Sequence, residues 1–72
     1  MVKLNGSKLQ QLRISRDMTQ AKLAERSETT ERYLRDLESG KKYNLSASLL
    51  YRFANVLDVS MEELLEIQEE GE

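Results

Sequence analysis

Seventy-two residues make one small domain, which buries only about 60% of its unfolded surface and gains little stability to spare. Cysteine and histidine are both absent, so disulfides, the usual zinc ligands, the commonest general base and the most reactive nucleophile are all missing; neither a metal nor a cofactor is expected, and an enzyme is disfavoured. The net charge of −2 is uneven: residues 58–72 hold seven acids and no base, which leaves eleven bases against six acids, a balance of +5, in residues 1–57.

Proline is absent and glycine occurs only at Gly6, Gly40 and Gly71, so few residues break helices. Helix starts carry a recurring signal: an apolar residue, a polar N-cap, then an apolar residue at the fourth helical position. Leu4-Asn5 with Leu9 fits it and opens a helix at 6–16. Met18-Thr19 with Leu23 opens a second at 20–27. Thr29-Thr30 with Leu34 opens a third at 31–38, ended by Gly40 in a left-handed cap. Leu45-Ser46 with Leu50 opens a fourth at 47–57, and Val59-Ser60 with Leu64 a fifth at 61–68, where Ser60 and Glu63 form a capping box. The fold expected is all-α, five helices in one domain over residues 1–68, with a frayed acidic tail at 69–72. Leu9, Leu12, Leu23, Ala24, Leu34, Leu37, Leu50, Phe53, Ala54, Leu57, Leu64 and Leu65 fall at helical spacing and make the expected core. No apolar run approaches the roughly 20 residues of a spanning helix, and MVKLNG lacks the apolar stretch of a signal peptide. A soluble cytoplasmic protein without membrane contact is expected.

Residues 19–42 carry the functional signal. Two short helices joined by Glu28 to Thr30 must cross steeply, and the small side chain of Ala24 permits the close approach. With Leu34 and Leu37 facing inward, the third helix presents Glu31, Arg32, Tyr33, Arg35 and Asp36 outward. Long hydrogen-bonding side chains on an exposed helix of this size suit the major groove of DNA. Arginine pairs with guanine O6 and N7, a carboxylate accepts from cytosine N4, and a tyrosine packs on a thymine methyl or bonds a phosphate. Gln20 at the start of the second helix, Lys22, Thr30, Lys41 and Lys42 are the expected phosphate contacts, which position without reading sequence. For any one lysine a solvated surface charge is the commoner role; the clustering around one helix is what points to DNA.

The stretch from Leu9 to Leu65 resembles the DNA-binding domains of the Cro and phage-repressor class of bacterial regulators. Leu12-Arg13, Thr19-Gln20, Leu23-Ala24, Leu34, Leu37-Glu38, Gly40, Leu57 to Ser60 and Leu64-Leu65 carry the resemblance. It implies a compact lambda-repressor-like domain with its helix-turn-helix at residues 20–38. It also implies a transcriptional repressor in the nucleoid, working as a homodimer on a two-fold operator. By the same resemblance Gln20 contacts phosphate and braces the first residue of the reading helix, and Arg13 and Glu38 form an internal ion pair of structural role. The chain departs from the pattern at three places. Glu28 stands where the turn carries glycine, Ser27 and Thr29 replace apolar residues, and the loop from Lys41 to Leu45 lacks a frequent proline. Two acids on the reading helix and the acidic total leave a second reading open: a protein-interaction module, such as an antitoxin subunit.

Overall fold

The computed structural model describes residues 2–67. They form, in chain order, β1 (Val2–Leu4), α1 (Gly6–Ser15), α2 (Gln20–Arg26), α3 (Glu31–Ser39), α4 (Ala47–Leu57), a single 3₁₀ turn (Met61–Leu64) and β2 (Leu65–Ile67). Residue 68 and the acidic tail expected at 69–72 lie outside the described residues.

Every helix start expected from the sequence carries its cap. The side-chain oxygens of Asn5, Thr19, Thr30, Ser46 and Ser60 accept from the backbone N–H of Lys8, Lys22, Tyr33, Leu49 and Glu63. Each satisfies one of the N–H groups that a helix leaves without an internal partner.

The helix ends share a second device. After α1 the Met18 N–H donates to the Arg13 carbonyl at 3.1 Å and the Asp17 N–H to Ile14 at 2.9 Å. After α2 the pairs are Thr29 to Ala24 at 2.9 Å and Glu28 to Glu25 at 3.2 Å. After α4 they are Val59 to Ala54 at 3.0 Å and Asp58 to Asn55 at 3.3 Å. These are three Schellman caps, which need a left-handed residue. Asp17, Glu28 and Asp58 supply it with φ of 56°, 60° and 59°. In each case the left-handed acid is followed by Met18, Thr29 or Val59 and then by the N-cap of the next helical segment. One three-residue pattern thus ends one helix and starts the next. Gly40, with φ 84°, ends α3.

The core is Leu4, Leu9, Leu23, Ala24, Leu34, Leu37, Leu49, Leu50, Phe53, Ala54, Leu57 and Leu64. Leu12 and Leu65 are only half-buried against it, whereas Leu4 and Leu49, absent from the expected set, are inside. Gly6 is buried at the start of α1, where an added Cβ would overlap the Leu37 carbonyl oxygen. The α1–α3 crossing therefore depends on glycine having no side chain, since a backbone atom cannot swing aside.

The fifth helix does not form. The segment expected at 61–68 makes one 3₁₀ turn, then Leu65 turns extended (φ −113°, ψ 147°). β2 pairs antiparallel with β1 in the register Val2↔Ile67, Lys3↔Glu66, Leu4↔Leu65. The all-α expectation is thereby corrected to four helices plus a strand pair. Charge supplies the reason. A helix through 61–68 would place Glu62 and Glu66 four residues apart and Glu63 and Glu66 three apart. It would also put acid at the C-terminal end, where the macrodipole disfavours it. As a strand, Glu66 instead faces Lys3 at 4.0 Å. The Asn5 N–H donates to the Leu64 carbonyl at 2.8 Å and closes the end of the pair.

Candidate nucleic-acid interface

The helix-turn-helix spans α2, the linker Ser27 to Thr30, and α3. Its scaffold is a buried polar network rather than apolar packing alone. Arg13 donates Nε to Glu38 Oε2 at 2.7 Å and Nη2 to Glu38 Oε1 at 3.1 Å. Its remaining nitrogen, Nη1, donates to the Met18 carbonyl at 2.7 Å. The side chains of Arg13 and Glu38 are 10% and 2% exposed, so the pair is desolvated and held by a bidentate fork. Gln20 Nε2 donates to Glu38 Oε1 at 3.0 Å. The expectation that Gln20 braces the first residue of α3 is therefore corrected: it braces Glu38, near the other end of that helix. One amide hydrogen and the amide oxygen of Gln20 are left for other partners.

On α3, Glu31, Arg32 and Arg35 are exposed, while Tyr33 and Asp36 are half-buried. Leu34 and Leu37 are fully buried and fix which way the helix turns its outer face. Glu31 Oε2 lies 3.8 Å from Arg35 Nη2 across one helical turn. Among the described residues no carboxylate pairs with Arg32, Lys41 or Lys42. Thr30 is exposed, and its hydroxyl oxygen accepts from the Tyr33 N–H at 3.1 Å, which leaves its proton to donate. Lys22 is exposed beside Glu25 at 3.6 Å.

Tyr33 stands apart from the other residues expected to read bases. Its hydroxyl donates to the Asn44 carbonyl at 2.7 Å, and its ring packs partly against the core. Sequence reasoning missed Asn44 and Tyr43, because their roles arise from where the α3–α4 loop folds back and no local pattern marks them. In the sequence Ser27 is only a polar residue at an apolar position. In the fold it is 0% exposed, and its hydroxyl finds no hydrogen-bond partner among the described residues.

The family model for helix-turn-helix domains matches residues 9–64. The chain belongs to this helix-turn-helix family, of the Cro and phage-repressor type. The family consists of DNA-binding transcriptional regulators, not enzymes, and its fold is lambda-repressor-like. Solved structures agree. The DNA-binding domain of SinR from Bacillus subtilis superposes with a TM-score of 0.77 at 30% identity, covering 82% of this chain and 86% of that one. A crystal structure of SinR, a master regulator of biofilm formation, in complex with DNA gives a TM-score of 0.79 at 30% identity, covering 83% and 98%. The restriction-modification controller protein C.AhdI from Aeromonas hydrophila gives 0.76 at 30% identity, covering 82% and 88%. No curated protein matches the chain. Among the described residues no cluster of acids could hold a metal ion, and no helix is long and apolar enough to cross a membrane.

Proposed function

We propose that this protein is a sequence-specific transcriptional repressor that lays α3 in the major groove of double-stranded DNA, as a homodimer on a two-fold operator. The observation that carries the reading is the outer face of α3. It presents two exposed arginines, Arg32 and Arg35, on a helix whose inner leucines are locked in the core. Recognition helices of this fold approach the groove with such a face, and paired subunits match half-sites about one helical turn apart. Family membership and the resemblance to SinR, which has been crystallised on DNA, support it.

In this reading Glu31, Arg32, Arg35 and Asp36 face the base edges. Gln20, Lys22, Thr30, Lys41 and Lys42 face phosphates. Arg13 and Glu38 do neither; they hold α1, α3 and the entry to α2 in register. Arg35 must leave Glu31 to reach a guanine, which is a small demand for an exposed pair.

The second reading, a protein-interaction module, draws on Glu31 and Asp36, whose charge opposes approach to phosphate. Arg32→Ala separates the two. On DNA it should weaken specific binding by about 1–3 kcal/mol and relax preference at one base position. Equal weakening on all sequences would make Arg32 a phosphate contact. An activity that survives Arg32→Ala and Arg35→Ala unchanged would favour the protein partner.

A further inference from the structure

The loop 41–45 between α3 and α4 contains neither proline nor glycine and adopts no regular structure. Yet it carries both lysines that the proposed interface assigns to phosphate. Three bonds tie its backbone to α3, the first a long one from the Lys41 N–H to the Ser39 hydroxyl at 3.4 Å. The Lys42 N–H donates to the Asp36 carbonyl at 3.1 Å, and the Tyr33 hydroxyl donates to the Asn44 carbonyl at 2.7 Å. Between these ties the side chains divide. The Lys42 ammonium lies 5.7 Å from the centre of the Tyr33 ring, within the range of cation–π attraction. The Tyr43 ring takes the Lys3 ammonium at 5.2 Å.

Tyr33 suits the task of a strut. Its ring is stiff, with one end packed on the core and the other on the loop. A hydroxyl has one proton to give, and here Asn44 takes it. To bond a phosphate as donor, Tyr33 would have to release the loop. Water could satisfy an exposed carbonyl equally well, so the bond contributes position more than satisfaction of Asn44. Proline would stiffen such a loop by fixing φ; here a tertiary hydrogen bond does the stiffening.

We infer that Tyr33 is a positioning residue of the DNA interface and not a reader of bases: it holds loop 41–45 so that Lys41 and Lys42 stand beside the reading helix. This rests on the function proposed above. The test is Tyr33→Phe, which keeps the ring and removes the hydroxyl, compared with wild type in three experiments. In the free protein, ¹⁵N order parameters of residues 42–45 should fall from rigid values of about 0.85 toward the flexible range below about 0.6. On duplex DNA at several salt concentrations, binding should weaken roughly three- to tenfold on every sequence, and the slope of log K against log salt should drop by about one, as for one lost phosphate contact. The sequences selected from a random duplex pool should stay the same.

Unchanged order parameters would overturn the inference, because the strut would hold nothing. So would a looser loop with unchanged affinity and slope. A changed preference at one base position would return Tyr33 to the readers. Failure of the wild-type protein to bind any duplex at low salt would sink the proposed function itself, and with it the inference; that outcome is visible before any variant is made.

Discussion

Residues 17–19 lead into α2 and residues 28–30 lead out of it, with the same pair of backbone hydrogen bonds and a left-handed backbone at the same position, but with different side chains. The entry linker uses aspartate, one of the residues enriched in the left-handed conformation. It then uses Met18, half-buried against the core, whose carbonyl is held by Arg13. The exit linker puts glutamate in that conformation, follows it with the weaker staple Thr29, and is preceded by a buried serine whose hydroxyl has no partner among the described residues. The entry linker is thus built for stability. The exit linker, which aims the reading helix, carries three local costs in three residues. Strain of this kind concentrates where a protein works, and the neighbouring α3 is the proposed reading head.

Four substitutions sharpen or break that contrast. The largest effect is expected from Glu38→Ala. It strips the partner from the buried Arg13 guanidinium and from Gln20, so unfolding free energy should fall by about 3–5 kcal/mol. Amide exchange at Met18 should accelerate before that at Thr29, because only the entry linker hangs on Arg13. Equal acceleration at both would show that the network does not distinguish the linkers.

Ser27→Ala should act in the opposite direction. A buried unpaired hydroxyl costs about 1–3 kcal/mol, and alanine removes it with almost no change of volume. We expect about 1 kcal/mol of added stability, or roughly 4–8 °C in Tm for a domain of this size. A lower Tm would mean the hydroxyl has a partner.

The smallest effects are expected at the two left-handed acids, from Glu28→Gly and Asp17→Gly. A left-handed non-glycine residue costs about 1–2 kcal/mol, and the greater freedom of glycine in the unfolded chain offsets part of the gain. The substitution also removes the ion pair between Glu28 and Arg52, but at 3.9 Å and on the surface that pair contributes little. Tm should rise by a few degrees, whereas Asp17→Gly should leave it nearly unchanged. An equal response at both sites would erase the chemical difference between the linkers.

Much of this architecture can be read from the residues. Caps and staples are local, so Asn5, Thr19, Thr30, Ser46 and Ser60 mark all five starts of helical segments. Of the three left-handed acids only Glu28 is legible, as a departure from the glycine that the turn carries in the family; Asp17 and Asp58 emerge as such only in the fold. The strand pair is not legible. Its strands are three residues each, too short for alternation to register, and Leu64-Leu65 reads equally well as the face of a helix. What decides there is pairing between opposite ends of the chain, such as Leu4 with Leu65. Gly6 shows the same limit: its need for no side chain comes from the Leu37 carbonyl, which only the packed fold brings near. Within the proposed site the outward set on α3 followed from subtracting Leu34 and Leu37. The attachment of Tyr33 to Asn44 depends on the path of a loop that no periodicity describes.

The central claim is that the face built from α3 and its flanking lysines binds DNA. An amide NMR titration of the labelled protein with random-sequence duplex, at low and then moderate salt, tests it without knowledge of the operator. Salt-sensitive shifts concentrated at Gln20, residues 30–36, Lys41 and Lys42 are the predicted result. No shifts at low salt, or shifts scattered over the whole surface, would contradict it.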